Sequence, residues 1–299
     1  MKLGFSLPQF GAAAHRPRDI ARFARQAEEM GADSLWVGDR LLAAVDPEVG
    51  YAGADYIPEQ FNAALDPFTV LAAAATATER VLLGTNVINA PWYPPAVLAR
   101  SFASIDLLSG GRLLPGLGTG WSPEEYEAVG VPMKERGRRL DECLDALDAL
   151  WGEGTVRHSG RHWSIPRSHM DAKPVQKPRP PVYLGGFAPA ALERVGRRAD
   201  GFLPIAVVPG MADLALAIDR PLTAVRETAE RSGRDPGALD VVLRVNPTAE
   251  ASVEDIATTV LEAGEHGVGH AFVDLLYLAE DADRTLDLAA RILEKVRER

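Results

Sequence analysis

The chain has 299 residues, 46% of them hydrophobic and 25% charged, which is the composition of a globular protein with ample core and excludes a largely disordered chain. Asp and Glu number 42 against 32 Lys and Arg, and the formal net charge of -10 argues against a nucleic-acid partner or an anionic-membrane surface. A single cysteine, Cys143, excludes an intrachain disulfide and reads as a buried, inert thiol on the apolar stripe of a helix.

In chain order, Leu3 to Leu7 is a short apolar run stopped by Pro8. It is too short for a signal peptide, and no later run approaches the ~20 apolar residues of a membrane span, so an unprocessed cytoplasmic chain is expected. A helix follows from near Pro17, with Ile20, Phe23, Ala24, Ala27 and Met30 on one face and Gly31 as its left-handed cap. Ser34 to Gly38 is a second buried strand ending at Asp39-Arg40, and Leu41 to Leu65 is a loop long enough to imply function. Asp66-Pro67 opens a helix as cap residue and first-turn proline. Val81 to Val87 is a third strand, and the next helix has Leu98, Phe102, Ile105 and Leu108 as inward positions.

The fourth strand, from Arg112, empties into Gly116, Gly118 and Gly120, three glycines alternating on one strand face where a flat or anionic group could lie, or else a bulged strand end. An acidic helix start, Ser122-Pro123-Glu124-Glu125, comes next, and then a helix with Leu140, Cys143, Leu144, Leu147 and Leu150 inward. Thr155 to Pro180 interrupts the alternation with a hairpin around Ser159-Gly160. Strands at Pro181 to Gly186, Gly201 to Ala206, Leu239 to Asn246 and Ala271 to Leu275 alternate with helices from Pro189, from about Met211, through Ile256 and Val260, and through Leu286 to Val296.

Eight strand-helix units predict one domain over residues 1–299, a (β/α)8 TIM barrel with an insertion at about 155–180 after the fourth unit. A doubly wound sheet would need a G-x-G-x-x-G turn after the first strand, which is missing. Functional groups of such a barrel lie at the C-terminal strand ends, which singles out Gln9, Asp39, Arg40, Thr85, Asn86, Thr119, Gly120, Trp121, Gly185, Gly186 and Arg244. No strand end offers a His pair with a carboxylate, so no metal is expected, and the same lack counts against a histidine base. A bound organic cofactor remains. Gly185-Gly186 before a helix offers backbone N–H groups to a phosphate.

The runs Leu83-Gly84-Thr85-Asn86-Val87, Tyr93 to Ala99, Asp106 to Arg112, Gly116 to Trp121 and Arg138 to Glu142 with Leu150-Trp151 resemble the bacterial luciferase-like superfamily, across nearly the whole chain. Length and the Thr-Gly turn are most similar to its coenzyme F420-dependent oxidoreductases, with FMN-dependent monooxygenases and a non-catalytic flavin-binding protein as alternatives. The resemblance implies that Asp39 contacts the deazaflavin ring and that a cis peptide between Asn86 and Val87 supports it, beside Thr85. It implies further that Gly118, Thr119 and Gly120 flank the cofactor side chain, that Gly185, Gly186 and Phe187 hold its phosphate, and that the protein is a homodimer.

Relatives that oxidise sugar phosphates place a histidine and a glutamate where Arg40 and Trp121 stand here, which disfavours that substrate. Trp121, with Trp92 and Tyr93, implies an aromatic pocket for a flat small organic substrate. Arg40 could pair with Asp39, bind an anionic substrate, or be solvated. Reduction of an activated C=C or C=N bond is expected, with solvent, Tyr93 or Glu124 delivering the proton.

Overall fold

The computed structural model describes residues 1–209 and 213–298. The first three units are β1 (Lys2–Ser6), α1 (Asp19–Glu29), β2 (Ser34–Val37), α2 (Pro67–Ala77), β3 (Leu82–Thr85) with a short continuation β4 (Ile88–Asn89), and α3 (Pro95–Ser109). Asp66 caps α2 by accepting the Thr69 N–H at 2.7 Å, as its sequence signature implies. Pro115 divides the fourth strand into β5 (Leu113–Leu114) and β6 (Gly116–Gly118), because proline has no N–H to give the ladder.

There follow α4 (Pro123–Ala128), α5 (Arg136–Trp151), the antiparallel hairpin β7 (Val156–Ser159) and β8 (Ser164–Ser168), β9 (Tyr183–Gly185) and α6 (Pro189–Arg198). Pro204 divides the sixth strand into β10 (Gly201–Leu203) and β11 (Ile205–Val208). The helix expected from Met211 begins outside the described residues, and its described part runs through a π-helical turn, Ala215–Asp219, into α7 (Arg220–Arg231). The chain closes with β12 (Asp240–Pro247), α8 (Val253–Glu265), β13 (His270–Val273) and α9 (Ala282–Arg297).

The sheet closes on itself through the divided fourth strand. Leu113 and Leu114 pair with Leu83 and Gly84 of β3, whereas Gly116 and Leu117 pair with Tyr183 and Leu184 of β9. All other neighbours around the circuit, from β9 through β10, β12, β13, β1 and β2 to β3, are parallel. The expected (β/α)8 barrel is therefore what forms. Its interior is filled by Trp36, Leu114, Tyr183, Leu203, Val242 and Phe272, with Trp36 stacked on Phe272 at 4.6 Å. Room for the Trp36 ring exists only because residue 84 is glycine, where a Cβ would stand 2.2 Å from the indole.

The insertion is pinned to α5 by Glu142, whose carboxylate accepts the backbone N–H groups of Arg161, His162 and Trp163 at 2.8 to 3.1 Å. Cys143 is fully buried and burial pushes its thiol up to about 12, which keeps it an inert core group. Leu108 corrects the expected inward face of α3: it is 51% exposed, whereas Asp106 and Ser109 are buried. The face turns because Asp106 accepts the backbone N–H and the side-chain amide of Gln176, at 3.1 and 2.7 Å, and so anchors the return from the insertion. Among the described residues no helix is long and apolar enough to cross a membrane.

Candidate active site

The C-terminal strand ends surround a cavity of about 320 Å³, floored by Trp36 and Phe272 from the barrel interior. Of the residues singled out from sequence, Asp39, Arg40, Asn86, Val87, Gly118, Thr119, Gly120, Trp121, Gly185, Gly186 and Phe187 line it, together with Gln9 and Arg244. The peptide bond between Asn86 and Val87 is cis, as the resemblance implies.

Three expected site residues stand off the wall. Thr85 is completely buried, and its hydroxyl donates to the Gly116 carbonyl and accepts the Gly116 N–H, both at 2.7 Å. It clamps β3 to β6, so its hydroxyl is spent on the sheet and does not face the cavity. Tyr93 lies behind Asp39, donating its hydroxyl to the carboxylate at 3.1 Å. Glu124 points outward, accepting the Glu48 N–H at 2.6 Å and the Ser122 hydroxyl at 2.7 Å, and these two donors hold its carboxyl below the usual range.

The neighbouring Glu125 is the one that turns inward, and sequence alone missed it. Successive helical residues differ by about 100° in direction, and nothing in Pro123-Glu124-Glu125 says which carboxylate faces the barrel. Glu125 accepts the N–H groups of Leu41 and Leu42 at 2.8 and 3.3 Å and lies 3.6 Å from the Arg40 Nη1. Burial raises its pKa against the opposing pull of Arg40. Asp274, also missed, pairs with Arg244 at 2.5 Å on the opposite wall.

The glycines serve a different purpose from the expected bare face. A Cβ at Gly116 would stand 1.9 Å from the Thr85 carbonyl oxygen, and one at Gly118 would stand 2.5 Å from Val87 Cγ2. Gly116, off the cavity wall, therefore admits a neighbouring chain segment, whereas Gly118 admits Val87, which is wedged between Gly118 and Gly185, and still lines the cavity. Gly120, at φ 65°, makes the turn that swings Trp121 over the cavity. The aromatic wall is likewise corrected. Trp92 packs edge-on against Tyr126 at 6.0 Å and Tyr93 faces Asp39, so neither reaches the cavity. Phe10, Tyr51, Phe61 and Phe187 line it beside Trp121 instead, two of them from the long loop, which has no periodicity to betray an inward side chain.

Asp39 is the carboxyl of the cavity wall whose surroundings most favour the protonated form. Its carboxylate accepts the Asn89 N–H at 2.9 Å and the Tyr93 hydroxyl, yet burial outweighs both donors and pushes the carboxyl up to about 7. Burial also raises the Tyr93 pKa, so this phenol remains a donor at any working pH. Among the described residues no group of three or more His, Cys, Asp and Glu could hold a metal ion.

Residues 1–292 match the family described as luciferase-like monooxygenase. The chain belongs to that family. Similar members include an F420-dependent glucose-6-phosphate dehydrogenase from Amycolatopsis mediterranei, 31% identical over 87% of this chain and 68% of the relative. A phthiodiolone/phenolphthiodiolone dimycocerosates ketoreductase from Mycobacterium tuberculosis is 29% identical over 89% of this chain and 76% of its own. Among solved structures, a Streptomyces bottropensis monooxygenase superposes with a TM-score of 0.77 at 21% identity, covering 98% of this chain and 99% of that one. An F420-dependent secondary alcohol dehydrogenase, solved with an F420-acetone adduct, gives 0.76 at 18% identity, covering 99% of each chain.

Proposed function

We propose that this luciferase-like protein is a coenzyme F420-dependent oxidoreductase that reduces an activated C=C or C=N bond of a small organic substrate. F420 dependence is carried over from the dehydrogenase relatives. The residues present fit such a cofactor. The Val87 side chain on the cavity wall offers an apolar support, the buried Asn86 amide N–H2 has no partner in the protein, and Gly185-Gly186 precedes the N-terminus of α6 where a phosphate is favoured. A planar ring would lie against Val87 and the main chain at Gly118 to Gly120, and Asp39 would meet its polar edge.

When bound, F420 supplies a hydride at the deazaflavin C5. The protein does the rest. It excludes water with Trp121, Tyr51 and Phe61, holds the acceptor against the ring, and supplies the proton. Asp39 carries the proposal: a carboxyl pushed up to about 7 on the cavity wall is protonated and mobile near neutrality, where a donor works best. Its proton goes to the atom next to the carbon that takes the hydride, so that C=C becomes CH–CH or C=N becomes CH–NH. Tyr93 then orients Asp39 rather than meeting substrate.

Carbonyl reduction is the second reading, favoured by the free N–H donors of Arg40, which would polarise a substrate oxygen. Anaerobic oxidation of reduced F420, followed by loss of reduced-cofactor absorbance against enones, imines and ketones, tests both readings. Turnover with enones or imines is expected; turnover with ketones alone would favour the second reading, and no anaerobic turnover but consumption once air is admitted would point to an oxygenase.

A further inference from the structure

We propose that the substrate is a flat, unsaturated monocarboxylate and that Arg40 is the residue that anchors its carboxylate, a proposal that rests on the oxidoreductase reading above. Of the three readings open for Arg40 in sequence, two fail on geometry. The side chain is not solvated, since the residue is 8% exposed, and its ion-pair partner is Glu125 rather than Asp39. The guanidinium lies 4.5 Å from the Trp121 ring centroid and 5.2 Å from that of Phe61.

What is left over is specific. The contact to Glu125 uses Nη1, whereas Nε and Nη2 have no hydrogen-bond partner and are closed off from water. Those two nitrogens share one edge of the guanidinium and present parallel N–H groups, the fork that fits the two oxygens of a carboxylate. Buried donors left unmade are costly, so an edge kept free on a cavity wall is one a ligand completes. Because both nitrogens are closed off in this structure, the rings packed on the guanidinium, Trp121 and Phe61, shift as a carboxylate reaches that edge.

The charge on the site matches a monoanion better than a phosphate. Arg244 is already balanced by Asp274 through Nη2, which leaves only its Nε without a partner, and Glu125 offsets part of Arg40, so among the described residues lining the cavity only Arg40 keeps a two-nitrogen edge free. Apolar rings on either side of Arg40 favour a ligand flat beyond its carboxylate, as conjugation to the reducible bond would make it.

Calorimetric titration of the purified protein with cinnamate, methyl cinnamate and cinnamyl alcohol tests the anchor without turnover. Cinnamate is expected to bind at least ~10-fold more tightly than the ester or the alcohol, as a charge-assisted fork requires. Arg40→Lys keeps a cation beside Glu125 but loses the fork, and is expected to abolish most of that preference. Glu125→Gln leaves Arg40 uncompensated and is expected to tighten cinnamate binding. Equal affinity for acid and ester, no measurable cinnamate binding, or a preference retained in Arg40→Lys would overturn the anchor. A parallel F420 titration keeps the two claims apart. F420 binding without acid preference removes the anchor alone, and acid preference without F420 binding removes the oxidoreductase reading alone.

Discussion

Replacing Asp39 by Asn is expected to lower reductive turnover by about 10² to 10⁴-fold, the usual worth of a positioned proton donor. The pH profile is the sharper readout. In the unmodified protein the rate should fall as pH rises through about 7, because the donor carboxyl is lost there, and the oxidative direction should show the opposite limb. In Asp39→Asn both limbs should vanish, while F420 still binds, more weakly for the lost contact at the ring edge. Stability moves the other way. A carboxyl whose folded pKa lies above its unfolded value favours the folded state below the unfolded value, and that contribution is lost as pH rises to the folded pKa of about 7. Asp39→Asn should therefore gain on the parent in urea midpoint between acid and neutral pH and keep the gain above it. A pH limb that survives in the variant would assign the proton to another group.

Gly116→Ala is expected to destabilise the fold by about 3 kcal/mol or more, because its Cβ would meet backbone rather than a yielding side chain. The clash is with the Thr85 carbonyl at 1.9 Å, at the joint where the fourth strand passes from β3 to β9 and where the Thr85 hydroxyl bridges both backbone groups of Gly116. The barrel closes at this point, so the loss should be cooperative and visible in urea unfolding by circular dichroism. Gly269→Ala is the control. Its Cβ meets nothing within 4 Å, and a change within about 0.5 kcal/mol is expected there. Equal midpoints for the two variants would mean that β3 and β6 can separate without cost.

The eight units were legible because buried parallel strands read as short apolar runs and the helices between them carry a 3.6-residue period. Val81 to Val87 and Arg138 to Trp151 are plain examples. Helix faces were less secure where polar residues are buried for their hydrogen bonds: the period of α3 points to Leu108, but the bonds from Gln176 turn Asp106 inward.

At the site, residues on strand ends were readable because strand geometry fixes where they emerge, as with Asp39, Asn86 and Trp121. Residues from the long loop and from α4 were not. Tyr51, Phe61 and Glu125 reach the cavity through tertiary packing that no local pattern encodes. Thr85 shows the converse, a strand-end residue whose hydroxyl is spent entirely on the sheet. The glycine pattern around residue 116 was a correct sign of close approach, but the approaching groups are Thr85 and Val87 of the protein itself.

Equilibrium binding decides whether this cavity belongs to a deazaflavin. Difference absorbance on titrating the purified protein with F420 and, separately, with FMN should give saturable binding of F420 at one per chain, weakened when Gly186 is replaced by a larger residue, and no comparable binding of FMN. Tight binding of FMN with none of F420 would rule out the deazaflavin and make the protein a flavin-dependent monooxygenase of the same family.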